Sequence, residues 1–387
     1  MSTNYLYHCI QPDNEPSNGI FTEFSMADFS LTFPERKLVT GSIRISANVT
    51  LVGGVANSND AISNVFVDPK VGSHALFDQM STTLDRVGQI ENILEYNKYA
   101  KAVSQATSSH ADYMKGSKVC ELQAPNENWS KIVFKGVDSA RTYAATTFLP
   151  TISELANFSM KPLVCLNSAV GGDGTLSFRK SGVIRMSVRI ARALQTMYGS
   201  SVSLAGAGTQ PSISITNLRL HFSSVADDGA DFPLTLSNTV SVKSTIQSTF
   251  ANVSASVPAV CRSVFGTFVR ADREAAGGMT NPLACETLPG WKSVQFLYND
   301  TINNSLVSYT INDREECKKR YLRAVSSSDH SSIGKWAEKH DDGFGVGLAF
   351  DGLLDLRSQK INIQLTSNVD SGSPYIFSLF FQGVQSL

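Results

Sequence analysis

Alternating apolar and polar residues run through much of the chain and predict β-strands. Over residues 42–52 every second position is apolar, and the same alternation covers 21–33 with Phe29, Leu31 and Phe33. This pattern is typical of strands that bury one face. The chain is therefore predicted to be rich in β-structure.

Helical patterns are scarce and occur twice. Residues 95–106 combine helix-forming residues with apolar positions three and four apart. Residues 313–325 show the same spacing, with Asn312 or Asp313 as the N-cap and Glu315 in the first turn. Each half of the chain is thus predicted to carry one short helix, after its fourth or fifth strand.

The two halves of the chain repeat each other. Residues 98–104 read KYAKAVS and residues 320–326 read RYLRAVS, so all but one step is an identity or a conservative exchange. Three further blocks recur in the same order: 42–49 with 263–269, 184–188 with 361–365, and 218–225 with 377–384. Four ordered blocks of this length predict two copies of one folding unit rather than a solenoid.

The repeat suggests a division of the chain. Residues 1–20 are polar and contain Pro12, Pro16 and Gly19, which predicts an irregular N-terminal arm. The first unit is expected at 21–226 with an insertion at 107–160, a linker at 227–233, and the second unit at 234–387. Each unit reads as about eight short strands, one helix and long loops, which predicts an all-β fold of two tandem eight-stranded jelly rolls.

Composition and charge favour a protein that packs against copies of itself. The 387 residues are 42% hydrophobic and only 17% charged, with a net charge of −1. A low charge density reduces repulsion between surfaces. No Lys or Arg precedes Arg36, so a basic N-terminal arm for a genome is not expected. Arg185, Arg189 and Arg192 alternate with apolar residues and are interpreted as a solvated strand edge rather than a nucleic-acid site.

Cysteine usage and the chain start indicate a reducing environment. The six cysteines are scattered, without CxxC spacing, and predict reduced, mostly buried thiols. The first residues show no secretory pattern, and no apolar run approaches a membrane span.

No catalytic constellation stands above background. The six histidines show neither HxH nor HExxH spacing, and His74 and His221, in strand-like runs, are interpreted as structural. Residues 170–174 lack the ending of a phosphate loop and predict a flexible turn between strands. The acidic pairs at 227–228 and 341–342 each precede glycine and are interpreted as turn formers. The prediction is therefore no catalytic residue, no cofactor site and no metal site, in a protein that is not an enzyme.

The ordered repeat, one helix per unit and a C-terminal strand at 374–381 resemble the double jelly-roll major capsid proteins of tailless icosahedral DNA viruses, from tectivirus-like phages to the adenovirus hexon. The resemblance covers about residues 21–387 and rests on architecture, because this family has no diagnostic motif. It implies a homotrimer whose six jelly rolls form a pseudo-hexameric capsomer of a virus shell.

The resemblance also implies partners and a location. The expected partners are other copies of the chain, neighbouring capsomers, penton and minor capsid proteins, and an internal membrane as a further candidate. No sequence-specific nucleic-acid binding is expected. The protein is expected in the virion, after assembly in the host cytoplasm or nucleus.

Two alternatives stay open at the level of sequence. One is a penton or spike capsid protein with a single jelly roll and an appended sandwich, although the recurrence of four ordered blocks in both halves argues against it. The other is a non-viral, lectin-like β-sandwich binding protein, for which Trp129, Trp291 and Trp336 would supply the exposed aromatic residues.

Overall fold

The structure is a computed structural model that describes residues 5–52, 65–108, 111–124, 156–199, 212–230, 233–257, 260–275, 281–300, 305–327, 343–355 and 359–387. Its strands are β1 (Leu6–Ile10), β2 (Ile20–Thr22), β3 (Met26–Leu31), β4 (Arg36–Val39), β5 (Arg44–Val52), β6 (Val65–Val67), β7 (Phe77–Leu84), β8 (Gly88–Leu94), β9 (Ala156–Met160), β10 (Ala169–Gly171), β11 (Thr175–Ser177), β12 (Ile184–Ile190), β13 (Met197–Gly199), β14 (Ser212–Ala226), β15 (Thr235–Ile246), β16 (Phe250–Val257), β17 (Val260–Arg270), β18 (Ser293–Asp300), β19 (Ser305–Ile311), β20 (Val346–Asp355), β21 (Gln359–Thr366) and β22 (Tyr375–Ser386). Its α-helices are α1 (Tyr96–Thr107), α2 (Gly116–Cys120), α3 (Phe178–Ser181), α4 (Ala271–Ala275) and α5 (Arg314–Ser326). Short 3₁₀-helical turns lie at Gly72–Leu76, Asp112–Met114, Cys165–Asn167 and Ala193–Gln195.

The second half of the chain forms an eight-stranded antiparallel sandwich. Its strands β15 to β22 occupy positions one to eight in chain order. One sheet, called sheet A, has the order β15-β22-β17-β20, and the facing sheet B has the order β16-β21-β18-β19. In terms of positions, sheet A is 1-8-3-6 and sheet B is 2-7-4-5, an order in which strands that follow one another lie mostly in opposite sheets.

The first half of the chain repeats this strand order. Its positions one to eight are β1 with β2, β3, β4 with β5, β7, β8, β9, β12 and β14. Sheet A places β14 between β1 and β5 and places β9 on the far side of β5, and sheet B runs β3-β12-β7-β8. Both halves are therefore jelly rolls of one topology, and the predicted tandem all-β fold is confirmed.

The repeated sequence blocks fall on equivalent strands. The blocks 42–49 and 263–269 lie on the third strands β5 and β17. The blocks 184–188 and 361–365 lie on the seventh strands, and 218–225 and 377–384 on the eighth. The sequence repeat is thus a repeat of structure.

Alternating side chains fill the interior of each roll. Phe29, Ile45 and Phe222 are fully buried in the first roll, and Phe296 and Phe377 in the second. Burial of each large apolar side chain stabilises the fold by about 1.5–3 kcal/mol. The period-two pattern of the sequence corresponds to this alternation.

The rolls meet edge to edge. Strand β8 of the first roll runs parallel to β15 of the second, with Asn92 opposite Val240. Sheet B of the first roll and sheet A of the second thereby join into one sheet of order β20-β17-β22-β15-β8-β7-β12-β3.

Helices α1 and α5 both follow the fifth strand of their roll, as predicted. Asp313 caps α5, since its carboxylate accepts a hydrogen bond of 2.7 Å from the Glu316 N–H. Their packing nevertheless differs: α1 packs against β7 and a turn of its own roll, whereas α5 packs against β17 and β20. The two helices therefore agree in chain order and differ in what they pack against. Short helices α2, α3 and α4 also add to the single helix expected in each roll.

The irregular N-terminal arm predicted at 1–20 is wrong over part of its length. Residues Leu6–Ile10 form β1, which pairs antiparallel with β14. Further along, the Asp13 N–H donates to the Asp28 carbonyl at 2.7 Å. Pairing satisfies the backbone of a segment whose polar composition had indicated a loop.

The insertion predicted at 107–160 also needs correction at its end. Residues Ala156–Met160 form β9, which pairs with β5 and buries Phe158 and Met160. This strand holds position six of the first roll, so it belongs to the sandwich. Residues 125–155 lie outside the described residues.

The arginines at 185, 189 and 192 do not mark a strand edge. Strand β12, which carries the first two, lies between β3 and β7. Arg185 contacts the Asp85 carboxylate, and Arg189 binds Asp78 through two hydrogen bonds of 2.7 and 2.9 Å. Their charges are thus paired on a sheet face.

Candidate functional site at the junction of the two rolls

Helix α1 carries a buried cation into the contact between the rolls. The Lys98 ammonium, 2% exposed, lies 2.6 Å from a Glu95 carboxylate oxygen and also contacts Glu274 of the second roll. Burial acts to lower the pKa of Lys98, but the two carboxylates outweigh it and hold the pKa raised. The charged lysine therefore links the rolls.

A second buried ion pair lies one turn along α1. The Lys101 ammonium is 2.6 Å from the buried carboxylate of Asp68, which also accepts a hydrogen bond from the Asn281 amide of the second roll. Burial acts to raise the pKa of Asp68, but Lys101 and Asn281 hold it lowered. Charge pairing and hydrogen bonding together compensate the desolvation of these groups.

Glu91 of β8 is buried where β8 meets β15. Its carboxylate accepts hydrogen bonds from the Cys165 N–H at 2.8 Å and from the Thr239 N–H of the second roll at 3.0 Å. Burial raises the pKa of Glu91 to about 7, although the two hydrogen bonds act to lower it. Glu91 is thus a junction group that titrates near neutral pH.

A cavity of about 390 Å³ opens beside this junction. Its lining includes Glu91, Glu121, His74, Lys118, Lys161 and Thr239. His74 Nδ1 lies 2.8 Å from the Tyr96 hydroxyl, and His74 Nε2 lies 3.6 Å from Glu121. Burial acts to raise the pKa of Glu121, but His74 and Lys118 lower it to about 2. These contacts fix the turn before β7 to the segment that carries α2.

The two histidines interpreted as structural, His74 and His221, both have hydrogen-bond partners. His221 lies on β14, 2.6 Å from both the Tyr7 hydroxyl and the Ser46 hydroxyl, while His74 lies in a turn rather than a strand. Residues 172–174 form the predicted turn between β10 and β11. Asp227 and Asp228 accept backbone hydrogen bonds within their own turn, as turn formers do. The pair at 341–342 lies outside the described residues.

Most of the cysteines, and part of Trp291, lie in the protein interior. Cys9 and Cys120 are exposed and the other four cysteines are buried, so the prediction of mostly buried thiols is confirmed. Trp291 is half-buried and packs against the core, which does not suit an exposed binding aromatic. Trp129 and Trp336 lie outside the described residues.

Among the described residues, no group of three His, Cys, Asp or Glu side chains could hold a metal ion. The absence of catalytic, cofactor and metal residues stays a prediction. None of the helices in the described ranges combines the length and the apolar character that a membrane crossing requires.

Comparison with known proteins identifies the fold. No protein-family profile matches the chain, and no curated protein sequence matches it. Among solved structures, the Faustovirus major capsid protein is similar with a TM-score of 0.61 at 10% identity, over 100% of this chain and 90% of that one. PBCV-1 VP54, fitted into a cryo-EM reconstruction of the virophage Sputnik, is similar with a TM-score of 0.59 at 10% identity, over 100% and 95% of the two chains.

The chain has the double jelly-roll fold. A chain from the cryo-EM structure of the Sputnik virophage is also similar, with a TM-score of 0.50 at 9% identity over 99% of this chain and 88% of that one. The likeness extends over both rolls, so it includes their tandem arrangement as well as the single sandwich.

Proposed function

We propose that this double jelly-roll protein is the major capsid protein of an icosahedral virus. The observation that carries the proposal is the tandem of two rolls with one strand order, joined through β8 and β15 into a continuous sheet. Such a chain presents two similar units side by side. Its likeness to the Faustovirus major capsid protein over the full chain supports the same conclusion.

In this proposal three copies close into a homotrimeric capsomer with six similar rolls. A heterologous contact between the second roll of one copy and the first roll of the next closes a ring without using identical patches twice. Six similar units approximate sixfold symmetry, which allows the trimer to tile a shell as a pseudo-hexamer. Many modest contacts then sum over the shell.

The proposal includes partners and a location. The trimer would contact neighbouring capsomers, penton and minor capsid proteins, and an internal membrane as a further candidate. It would reside in the virion after assembly in the host cytoplasm or nucleus. It assigns the chain no catalysis, no cofactor and no sequence-specific binding of nucleic acid.

Negative-stain imaging of the purified protein tests this function. The expected particles have a hexagonal outline with threefold symmetry, and raised protein concentration should yield curved sheets or closed shells. Particles with the outline of one or two sandwiches at every concentration would contradict the proposal.

A further inference from the structure

The contact between the rolls inside one chain supplies a template for a contact between copies. At this junction the fifth strand of the first roll, β8, lies parallel to the first strand of the second roll, β15. Leu94 and Ser241 meet there, since the Ser241 hydroxyl lies 2.5 Å from the Leu94 N–H and 3.0 Å from the Leu94 carbonyl. The Asn238 amide donates to the Ile90 carbonyl at 2.8 Å.

Among the described residues, the equivalent strands at the outer edge of each roll have open edges. The fifth strand of the second roll is β19 and the first strand of the first roll is β1. Within the described ranges, β19 pairs only with β18, and β1 pairs only with β14. Each strand thus leaves unpaired the edge that β8 and β15 use on each other. Open edges of this kind are sites for pairing with another chain.

The register of the sheets identifies the equivalent residues on the first strands. Cys9 of β1 lies opposite His221, and Ser241 of β15 lies opposite Phe380. The repeated blocks 218–225 and 377–384 align His221 with Phe380. Cys9 therefore matches Ser241.

The same register reveals a large difference in exposure. Tyr7 matches Thr239, and continuing the register to the residue before β1 matches Tyr5 with Ser237. The tyrosines are 68% and 62% exposed, whereas Thr239 and Ser237, covered by the first roll, are 4% and 8% exposed. Two large aromatic side chains are left exposed where the equivalent residues are buried, which marks an uncovered contact surface.

The fifth strands are matched in the same way. The blocks 184–188 and 361–365 align the seventh strands of the two rolls. In each roll the seventh strand pairs with the fourth, and the fourth pairs with the fifth. Following these pairs residue by residue places Thr310 of β19 at the position of Asn92 of β8. Asn312, just beyond β19 and exposed, then matches Leu94. Because Leu94 meets Ser241, Asn312 is matched to a neighbour of Cys9.

The geometry points to β19 of one copy lying parallel to β1 of the next copy, with Asn312 beside Cys9 and with Tyr5 and Tyr7 buried in the contact. The occupant of the open β1 edge is therefore a second copy of this chain. This inference rests on the proposed function, because three such contacts close the trimer. It goes further by naming the strands and their register.

Disulfide trapping tests the register. In a Cys120→Ser background, which leaves Cys9 as the exposed native thiol among the described residues, Asn312→Cys should form a disulfide with Cys9 of the next copy when oxidised glutathione is added. Non-reducing gels should show bands at two and three times the chain mass. Matched controls are Val87→Cys, at a residue 48% exposed, and Asn312→Cys combined with Cys9→Ser; neither should give these bands.

A second variant tests the same surface without a crosslink. Tyr7→Arg should raise, at least tenfold, the protein concentration at which half of the trimer has dissociated. Val87→Arg should leave this concentration unchanged. A trimer that shows neither the disulfide nor the Tyr7 effect would overturn this register and leave the proposed function standing. A protein that stays monomeric would overturn both.

Discussion

Tyr99 and Tyr321, which hold the same place in the repeated seven-residue motif, both contact the ring of Phe265. The ring centroids lie 6.1 Å and 6.2 Å from that of Phe265. Tyr99 belongs to the first roll and Tyr321 to the second, so one phenylalanine of β17 joins helices from both copies of the repeat. Tyr99 also packs on Phe380. The duplicated motif has thus acquired a shared aromatic cluster.

Removal of the shared ring should destabilise the protein strongly. Phe265 is fully buried, and replacement by alanine leaves a cavity between the two helices. We expect Phe265→Ala to lower the free energy of unfolding by about 3–5 kcal/mol. The measurement is guanidinium denaturation at a fixed protein concentration. Phe250→Ala, at a residue 54% exposed, is the control and should change it by less than about 1 kcal/mol.

Lys98 and Arg320, the equivalent basic residues of the repeated motif, should contribute different amounts to stability. Lys98→Met leaves Glu95 and Glu274 without their buried cation, and we expect a loss of about 3–5 kcal/mol of stability. The matched change Arg320→Met removes a partly exposed cation that pairs with Glu316 at 2.5 Å, and it should cost less than about 1 kcal/mol. Equal effects in denaturation experiments would show that the Lys98 cluster does not hold the rolls together.

Glu91 should make stability depend on pH. Its folded pKa of about 7 lies above the ordinary value of 4.5, so between these values the folded state binds more protons than the unfolded state. Stability from this group is then fully present below pH 4.5 and is lost as pH rises through 7. The loss is of the order of 3 kcal/mol.

The variant Glu91→Gln isolates this dependence. The free energy of unfolding of the variant minus that of the native protein should increase as pH rises from 5 to 8. Any pH-independent destabilisation by the amide changes only the starting value of this difference. Urea denaturation at four pH values measures the difference. A difference that stays constant over this range would contradict the assignment of a near-neutral pKa to Glu91.

Metal removal should leave assembly intact. The proposal assigns no structural metal to the protein, so the trimer and any shells should persist in excess chelator. Light scattering before and after EDTA treatment measures this, with added Ca²⁺ and Mg²⁺ as the reversal control. Dissociation that these ions reverse would show that the contacts depend on a bound cation.

The sequence predicted the parts of the fold that depend on local periodicity and on the repeat. The blocks at 42–49 and 263–269 correspond to β5 and β17 because alternation directly reports a half-buried strand. Strand β1 was missed because its contacts, such as Cys9 opposite His221, join residues more than 200 positions apart. Strand β9 was missed because the second copy has no block that resembles it.

The junction was harder to foresee. Lys98 and Lys101 read as the solvated side of a helix, and only the tertiary structure shows that the second roll covers them. No signal in the sequence pointed the other way, because Lys98 and Lys101 share one helical face while Tyr99, Ala102 and Val103 share the other. Glu91 likewise carried no signal of its burial.

The most direct test of the central claim is the mass of the purified protein in solution by size-exclusion chromatography with multi-angle light scattering. At micromolar concentration and moderate salt, the account predicts one species of three times the chain mass of 41.8 kDa. A species of a single chain mass at every concentration tested would contradict the capsomer and, with it, the function proposed for this double jelly roll.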